Sequence, residues 1–169
     1  MFCLVKNISM KAFLIIVLLV LSSASASFSQ GIRKISKSEL TAILNNPSDK
    51  LHVINFWATW CGPCIKELPD FQKTVNETDG SKVEFLFISL DFPSDAEKKL
   101  MPFLKKNNYT FNVCLMTETD YNSWIDEVDP GWQGNIPATL FFNRARNIHH
   151  FVAESIDKPQ LVKTIQTYL

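Results

Sequence analysis

The sequence predicts a single α/β domain built on a central mixed β-sheet with helices on both faces. Segments with the composition of buried strands alternate with segments of helical periodicity, which is typical of such a sheet. A hairpin pattern near the C-terminus adds antiparallel strands and makes the sheet mixed. The chain has 169 residues, 46% of them hydrophobic, which is enough for one substantial core and too little for two domains.

The first 26 residues differ in composition from the rest. Lys6 and Lys11 precede ten apolar residues at 12–21, and small residues follow as far as Ala26. This order is typical of a secretory signal peptide. Because a membrane-spanning helix needs about 20 apolar residues, we expect cleavage rather than stable membrane insertion. Cleavage before Ser27 and before Gln30 both stay open, and the mature domain is expected to occupy 27–169.

Charge and cysteine content restrict the function of the exported chain. Without residues 1–26 it has 15 Lys and Arg against 17 Asp and Glu, a net charge of −2. This charge gives no reason to expect nucleic-acid binding. Three cysteines remain, which in an oxidising compartment indicates a redox pair, Cys61 and Cys64, plus one spare residue. The spare residue, Cys114, lies in an apolar pattern and is expected to be a small buried side chain.

The elements around the cysteine pair follow from composition and spacing. Residues 36–46 form a short amphipathic pattern that starts at a serine and stops before Pro47, which predicts a helix. Residues 51–57 are almost continuously apolar, as in a central strand that is covered on both faces. A helix is expected to begin near Pro63, and Pro69 within it predicts a kink.

The remaining elements complete the alternation of strands and helices. We predict a strand at 83–90, a helix at 94–107, a short strand at 110–116 and a short helix at 120–128. A hairpin at 139–152 and a closing amphipathic helix at 158–169 follow. Ligand chemistry in α/β sheets gathers at the carboxyl ends of the strands. The cysteine pair follows the strand at 51–57 and therefore lies at such an end.

The motif Cys61-Gly62-Pro63-Cys64 comes directly after a strand and opens a helix, the context in which a C-x-x-C sequence indicates redox chemistry. A cysteine at a helix N-terminus is close to unpaired N–H groups, which favour its thiolate. We therefore expect Cys61 to be the nucleophile, because the thiolate is the reactive form. Cys64, one turn further into the helix, is expected to resolve the mixed disulfide.

A zinc site is the structural alternative for the same two cysteines. Its further ligands would be Cys114 with a histidine, and the candidates are His52, His149 and His150. Structural zinc normally takes four ligands, often as two paired motifs, and the sequence has no second Cys/His pair at ligand spacing. We therefore expect neither a metal nor another cofactor.

The segment 55–64, together with Ile136-Pro137-Ala138-Thr139 far downstream, resembles the thioredoxin superfamily, in particular the exported TlpA/ResA-like reductases. The resemblance covers roughly 51–169 and implies a thioredoxin-like fold. It also implies that Ile136–Pro137 is a cis peptide bond beside the cysteine pair, where its backbone can pair with an incoming polypeptide. Trp60, Gly62 and Pro63 would line the same substrate-binding surface.

Two positions depart from cytosolic thioredoxin. Asn55 stands where thioredoxin has a buried aspartate, and Ile65 replaces a lysine. Glu67 is the candidate substitute base, since residues three apart share a helix face with Cys64, and ResA-like proteins have a functional glutamate at the matching position. Burial would raise its pKa towards a useful range. The alternative is a solvated helix glutamate, the commonest environment for this residue type.

The function expected from these residues is reduction of disulfides in exported proteins, with electrons supplied by a membrane electron-donor protein. Gly62-Pro63 between the cysteines and Ile136 before Pro137 resemble the reducing members of the superfamily. Two alternatives stay open. One is a disulfide-forming oxidant, and the other is a peptide-binding or chaperone module without turnover, for which two thiols at exchange spacing would be unnecessary.

Overall fold

The computed structural model describes residues 31–169, so the expected signal peptide and both cleavage sites lie outside the described residues. Six strands form one sheet. They are β1 (Arg33–Ile35), β2 (Leu51–Trp57), β3 (Val83–Ser89), β4 (Val113–Met116), β5 (Ala138–Asn143) and β6 (Ile148–Val152).

The strand order is β1-β4-β3-β2-β5-β6. The first four strands in this order are mutually parallel, whereas β5 runs antiparallel to β2 and β6 antiparallel to β5. This arrangement confirms the mixed sheet and the terminal hairpin. It also puts the carboxyl ends of the neighbouring central strands β2 and β3 side by side, at the end of the sheet that we call its carboxyl edge.

Five α-helices connect or follow the strands. They are α1 (Lys37–Leu44), α2 (Gly62–Glu77), α3 (Met101–Lys106), α4 (Ile125–Val128) and α5 (Lys158–Tyr168). Reciprocal hydrogen bonds between Ser36 and Glu39 start α1, and the same arrangement of Asp157 and Gln160 starts α5. Such capping boxes satisfy backbone N–H groups that have no partner within the helix. In α2 the helix continues through Pro69.

The segment predicted as one helix at 94–107 is divided in the structure. A 3₁₀ turn (Pro93–Asp95) and a π-helical turn (Ala96–Leu100) precede α3. Pro102 has no backbone N–H to continue the α-helical ladder, and the N–H of Met101 bonds to the carbonyl of Ala96, five residues back. Likewise, the predicted helix at 120–128 consists of a 3₁₀ turn (Tyr121–Ser123) and α4.

Apolar side chains cover both faces of the sheet, and every residue of β2 is buried. Leu68 and Phe71 of α2 pack with Leu161 of α5 on one face. Leu40 of α1 and Val128 of α4 pack on the other face. Each such side chain contributes about 1.5–3 kcal/mol when fully buried, so β2 is a firm support for the segment that follows it. Within residues 31–169, no helix has the length and apolar character that a membrane span requires.

Candidate redox site

Cys61 and Cys64 are joined in a disulfide at the N-terminus of α2, with their Cα atoms 5.3 Å apart. Cys61 is the N-cap residue, and its Sγ accepts a 3.2 Å hydrogen bond from the backbone N–H of Cys64. Cys61 is 6% exposed and Cys64 is completely buried. An incoming sulfur atom can therefore reach Cys61 and not Cys64.

The surface above the disulfide is open. Gly62 and Pro63 form the first turn of α2 and are exposed. A Cβ atom at position 62 would contact no atom within 4 Å. The positive end of the helix dipole and the free N–H groups of this turn stabilise negative charge on the Cys61 sulfur. The first turn of α2 thus combines access for a partner with stabilisation of a thiolate.

The Ile136–Pro137 peptide bond is cis, which confirms the prediction for this bond. The carbonyl oxygen of Ile136 lies 3.7 Å from the Sγ of Cys61. Pro137 is buried, while Ile136 is partly exposed beside the disulfide. The loop that carries them is anchored by Trp132, whose Nε1–H donates a 2.9 Å hydrogen bond to the carbonyl of Asn135. The fold therefore brings the downstream segment into contact with the C-x-x-C motif.

Glu67 is only 5% exposed, so the solvated alternative for this residue is wrong. Its Oε1 accepts a 2.9 Å hydrogen bond from Nδ2 of Asn55, and its Oε2 accepts one of 2.9 Å from the backbone N–H of Ile156. Burial raises the pKa of Glu67 to about 7, and the hydrogen bonds from Ile156 and Asn55 oppose this rise. A carboxyl with such a pKa can gain or lose a proton near neutral pH.

Asn55 has a structural role that the sequence did not indicate. Its side chain is completely buried, and its Nδ2 donates both to Glu67 and, over 3.1 Å, to the hydroxyl of Thr139 on β5. Sequence reasoning considered Asn55 only as the loss of an acid. In the structure it is the partner of the acid that α2 supplies instead.

A second polar network fixes the turn that leads to Cys61, and the sequence analysis missed it. The buried Asp91 carboxylate accepts hydrogen bonds from the backbone N–H of Thr59 at 3.0 Å, from the Thr59 hydroxyl at 2.5 Å and from the Ser89 hydroxyl at 2.7 Å. The available signal was an acidic residue directly after a buried strand, at the carboxyl edge that β2 and β3 share.

Two aromatic side chains are exposed at this edge, Trp60 at 60% and Phe92 at 57%. Trp60 follows Thr59 in the chain, and Phe92 follows Asp91. Thr59 and Asp91 are hydrogen-bonded to one another. Trp57, in contrast, is completely buried and packs in the core. Phe92 was not singled out from the sequence, because an isolated phenylalanine in a loop gives no signal of its own.

The remaining candidate ligands lie away from the cysteine pair. Cys114 is buried in β4 and packs in the apolar cluster on the other face of the sheet from Cys64, and burial raises the pKa of its thiol. His52 is buried against Phe142, and His149 pairs with Asp129 at 2.9 Å. Among residues 31–169, no three His, Cys, Asp or Glu side chains converge as metal ligands.

Comparison with curated proteins gives relatives that are named thiol-disulfide oxidoreductases. The chain is 33% identical over 121 residues to the thiol-disulfide oxidoreductase ResA of Oceanobacillus iheyensis, which covers 72% of this chain and 58% of that protein. It is 32% identical over 63 residues to sporulation thiol-disulfide oxidoreductase A of Bacillus subtilis, covering 37% of this chain and 38% of the relative. The matched segments thus span about two fifths to three fifths of these relatives.

Solved structures with the same fold include a thioredoxin-related protein from Neisseria meningitidis serogroup B, with a TM-score of 0.62 and 21% identity over 71% of this chain and 85% of that one. StoA from Bacillus subtilis has a TM-score of 0.57 and 24% identity over 71% of this chain and 84% of that one. These likenesses support the thioredoxin-like fold that the strand order also indicates.

The AhpC/TSA family matches residues 26–151, a range that holds the disulfide, Glu67 and the cis proline. Its coverage of most of the chain agrees with the fold and with the thiol-disulfide oxidoreductases among the relatives. With this match the chain belongs to the AhpC/TSA family, a branch of the thioredoxin superfamily.

Proposed function

We propose that this protein is an exported thiol-disulfide oxidoreductase that reduces disulfides in extracytoplasmic proteins. The observation that carries the proposal is the Cys61–Cys64 disulfide at the N-terminus of α2, in which Cys61 keeps 6% of its surface accessible and Cys64 none. Export is inferred from the signal-peptide pattern in residues 1–26.

The reaction follows dithiol-disulfide exchange. In the reduced protein the Cys61 thiolate attacks one sulfur of the substrate disulfide, and the other substrate sulfur leaves as a thiolate that takes up a proton. The resulting mixed disulfide is resolved when Cys64 loses its proton and attacks the Cys61 sulfur. The second substrate sulfur then leaves as a thiolate and is protonated. Two electrons have passed to the substrate, and the protein is left with its own disulfide.

Substrate is proposed to bind over the first turn of α2 and the segment at Ile136–Pro137. Gly62 leaves open space above the disulfide, and Ile136 is partly exposed next to Cys61. An extended polypeptide can pair with exposed backbone of this kind. The exposed rings of Trp60 and Phe92 add apolar surface, which favours a substrate whose disulfide is accompanied by apolar side chains.

Glu67 is proposed as the general base for Cys64. It is buried one helical turn away, and its pKa of about 7 lies between that of an ordinary carboxyl and that of a free thiol, about 8.5. Ionised Glu67 would accept the Cys64 proton in the resolving step. Such assistance is typically worth about 10²- to 10⁴-fold, and a thiol needs the low end or less because it ionises readily.

Replacing Glu67 by Gln tests this role. We expect the resolving step to slow at every pH below about 7, with a loss that shrinks between pH 7 and the thiol range, where hydroxide and water replace the carboxylate. Stopped-flow reduction of a model disulfide by the wild type and Glu67→Gln, from pH 5 to 9, measures the two profiles. Superimposable profiles would remove Glu67 from the mechanism.

The reduced protein must be regenerated by another dithiol. Soluble cytosolic reductants do not reach an exported domain, so a membrane electron-donor protein is the proposed source. A reducing role requires a reduction potential near that of thioredoxin, about −270 mV, whereas strongly oxidising proteins of this fold lie about 150 mV higher. Equilibration with dithiothreitol buffers measures the potential, and a value near the oxidising end would favour disulfide formation instead.

Insulin reduction by dithiothreitol tests the activity itself. We expect the wild type to accelerate it and Cys61→Ser to lose the acceleration. Cys114→Ser is the matched control, because Cys114 lies in the other apolar cluster and its loss leaves the exchange pair intact. Equal rates for the wild type and Cys61→Ser would leave a binding module without turnover. A Cys64→Ser variant is expected to retain substrates as mixed disulfides on Cys61, and mass spectrometry of the trapped proteins identifies them.

A further inference from the structure

We propose that Asn55 is a positioning residue for the thiol chemistry. Its side-chain amide, oriented by Thr139, fixes the Glu67 carboxyl one helical turn from Cys64 and offers it a hydrogen-bond partner whether it is ionised or protonated. The inference rests on the proposed base role of Glu67 and deepens it.

The observed contacts suit the ionised carboxyl. Asn55 and Thr139 face each other across the antiparallel pair of β2 and β5, and both side chains are completely buried. Asn55 Nδ2 uses one hydrogen for Oε1 of Glu67 at 2.9 Å and the other for Oγ1 of Thr139 at 3.1 Å. With the Ile156 N–H on Oε2, the carboxyl receives two N–H donors, which a carboxylate can accept without conflict.

The protonated carboxyl needs an acceptor, and Asn55 has one to offer. Its Oδ1 is buried and has no hydrogen-bond partner among the described residues. A 180° rotation of the amide exchanges Oδ1 and Nδ2, so that Oδ1 faces the O–H of Glu67. The Thr139 hydroxyl, which accepts from Nδ2 in the observed arrangement, can donate to Oδ1 in the rotated one. The pair Asn55 and Thr139 can therefore offer Glu67 a donor when it is ionised and an acceptor when it is protonated. The rotation moves the Nδ2 hydrogens to the buried position where Oδ1 has no partner, so it is the less favourable of the two arrangements.

The hydrogen bond from Asn55 is one of the contacts that set the pKa of Glu67. From α2, Lys66 and Asp70 line a surface cleft of about 500 Å³ that reaches Glu67, and Asp157 lines it from the segment before α5. Cys64 is a further titratable neighbour on α2, while β2 and β5 present the uncharged Asn55 and Thr139. Burial raises the pKa of Glu67, and the bonds from Ile156 and Asn55 lower it. The cleft gives the carboxyl a route for exchanging its proton with water.

The titration of Glu67 in the oxidised protein tests the proposal directly, because the disulfide-bonded cysteines do not titrate. We expect Asn55→Ala to raise the Glu67 pKa by roughly one pH unit, since one hydrogen bond to a charged group is lost. Thr139→Val, which replaces the hydroxyl by a methyl group, is expected to raise it by less. ¹³C NMR of the labelled carboxyl, assigned with Glu67→Gln, gives these values without turnover, so the result is independent of the insulin assay.

Asn143→Ala is the matched control. Asn143 is also a completely buried asparagine, but it donates to the carbonyl of Lys50 at the other end of β5. It is expected to lose stability without moving the Glu67 titration. An unchanged titration in both test variants, or an equal shift in Asn143→Ala, would overturn the proposal. If Asn55→Ala does not fold, Thr139→Val decides alone, and an unmoved Glu67 pKa there overturns it.

The rotation of the amide has its own readout. In the wild type, the side-chain NH₂ signals of Asn55 are expected to shift with pH at the same midpoint as the Glu67 carboxyl signal. NH₂ signals that stay constant through that midpoint would contradict the alternation of partners. In the reduced protein, the midpoint of the pH–rate profile for the resolving step is expected to rise in Asn55→Ala in parallel with the Glu67 pKa.

Discussion

The backbone N–H of Ile156 donates a 2.9 Å hydrogen bond to Oε2 of Glu67. This bond joins the segment before α5 to α2 beside a carboxyl that also lines a surface cleft. The bond favours the carboxylate, but burial outweighs it and raises the pKa of Glu67 to about 7. The fold therefore holds a carboxyl with a pKa near neutral pH on the same helix as Cys64, three residues further along.

This carboxyl should make stability depend on pH. Its ordinary pKa is 4.5, so folding raises the value, and the stability that goes with the neutral form is complete below pH 4.5 and is lost as the pH rises through about 7. Between pH 4.5 and 8 we expect the oxidised wild type to lose up to about 3 kcal/mol relative to Glu67→Gln. Guanidinium unfolding of both proteins measures this, and a difference that is constant with pH would contradict it.

The burial of the sulfur atoms predicts their reactivity. In the reduced protein, iodoacetamide near neutral pH should modify Cys61, which is 6% exposed at the helix end, before Cys64 or Cys114, which are completely buried. Peptide mapping after a short exposure locates the label. Denatured protein is the control, in which all three cysteines should react. Label found mainly on Cys64 or Cys114 under native conditions would reverse the assignment of the nucleophile.

The Asp91 network should stabilise the turn before Cys61. In the wild type, the two carboxylate oxygens of Asp91 accept hydrogen bonds from the Thr59 N–H, the Thr59 hydroxyl and the Ser89 hydroxyl. In Asp91→Asn, an NH₂ group that cannot accept replaces one of these oxygens. At least one donor of the network then loses its acceptor, at a cost of up to about 1–3 kcal/mol. Denaturant unfolding measures the loss.

The matched control for Asp91 is Asp95→Asn. Asp95 pairs with the exposed Lys99 at 2.8 Å, and such surface pairs contribute about 0–1 kcal/mol. An Asp91→Asn variant no less stable than this control would show that the network does not support the turn.

The parts that the sequence predicted well are those in which local pattern and burial agree. The strand at Leu51–Trp57 is apolar at most positions and buried at every one, and the C-x-x-C motif marks the helix that follows it. Strand β1, with three residues, is too short to show a periodicity. Its pairing with β4 is a long-range contact that no local pattern encodes.

The state of Glu67 was open in the sequence for a similar reason. Spacing places it near Cys64, but its burial depends on Ile156, 89 residues away, and on Asn55, 12 residues away. Whether a carboxyl on a helix is solvated or covered is decided by these distant segments. A single sequence could name the candidate and both of its environments, and only the fold could choose between them.

Recognition of protein substrates should depend on the exposed rings of Trp60 and Phe92. Both lie at the carboxyl edge of the sheet that carries Cys61, and Thr59 and Asp91, which precede them in the chain, are hydrogen-bonded to each other. When a partner covers exposed apolar surface, the removal of that surface from water makes binding more favourable. A small disulfide is too small to cover these rings, so it gains little from them.

We therefore expect Trp60→Ser and Phe92→Ser to slow the reduction of insulin by roughly three- to tenfold, which corresponds to about 1 kcal/mol of lost contact. Reduction of a small aromatic disulfide by the same variants should proceed at the wild-type rate. Leu169→Ser is the matched control, because Leu169 is also a large exposed apolar residue, at 52%, and lies at the C-terminus rather than in the redox motif. Equal losses with both substrates would mean that the rings affect the disulfide itself, and no loss with insulin would remove them from the substrate-binding surface.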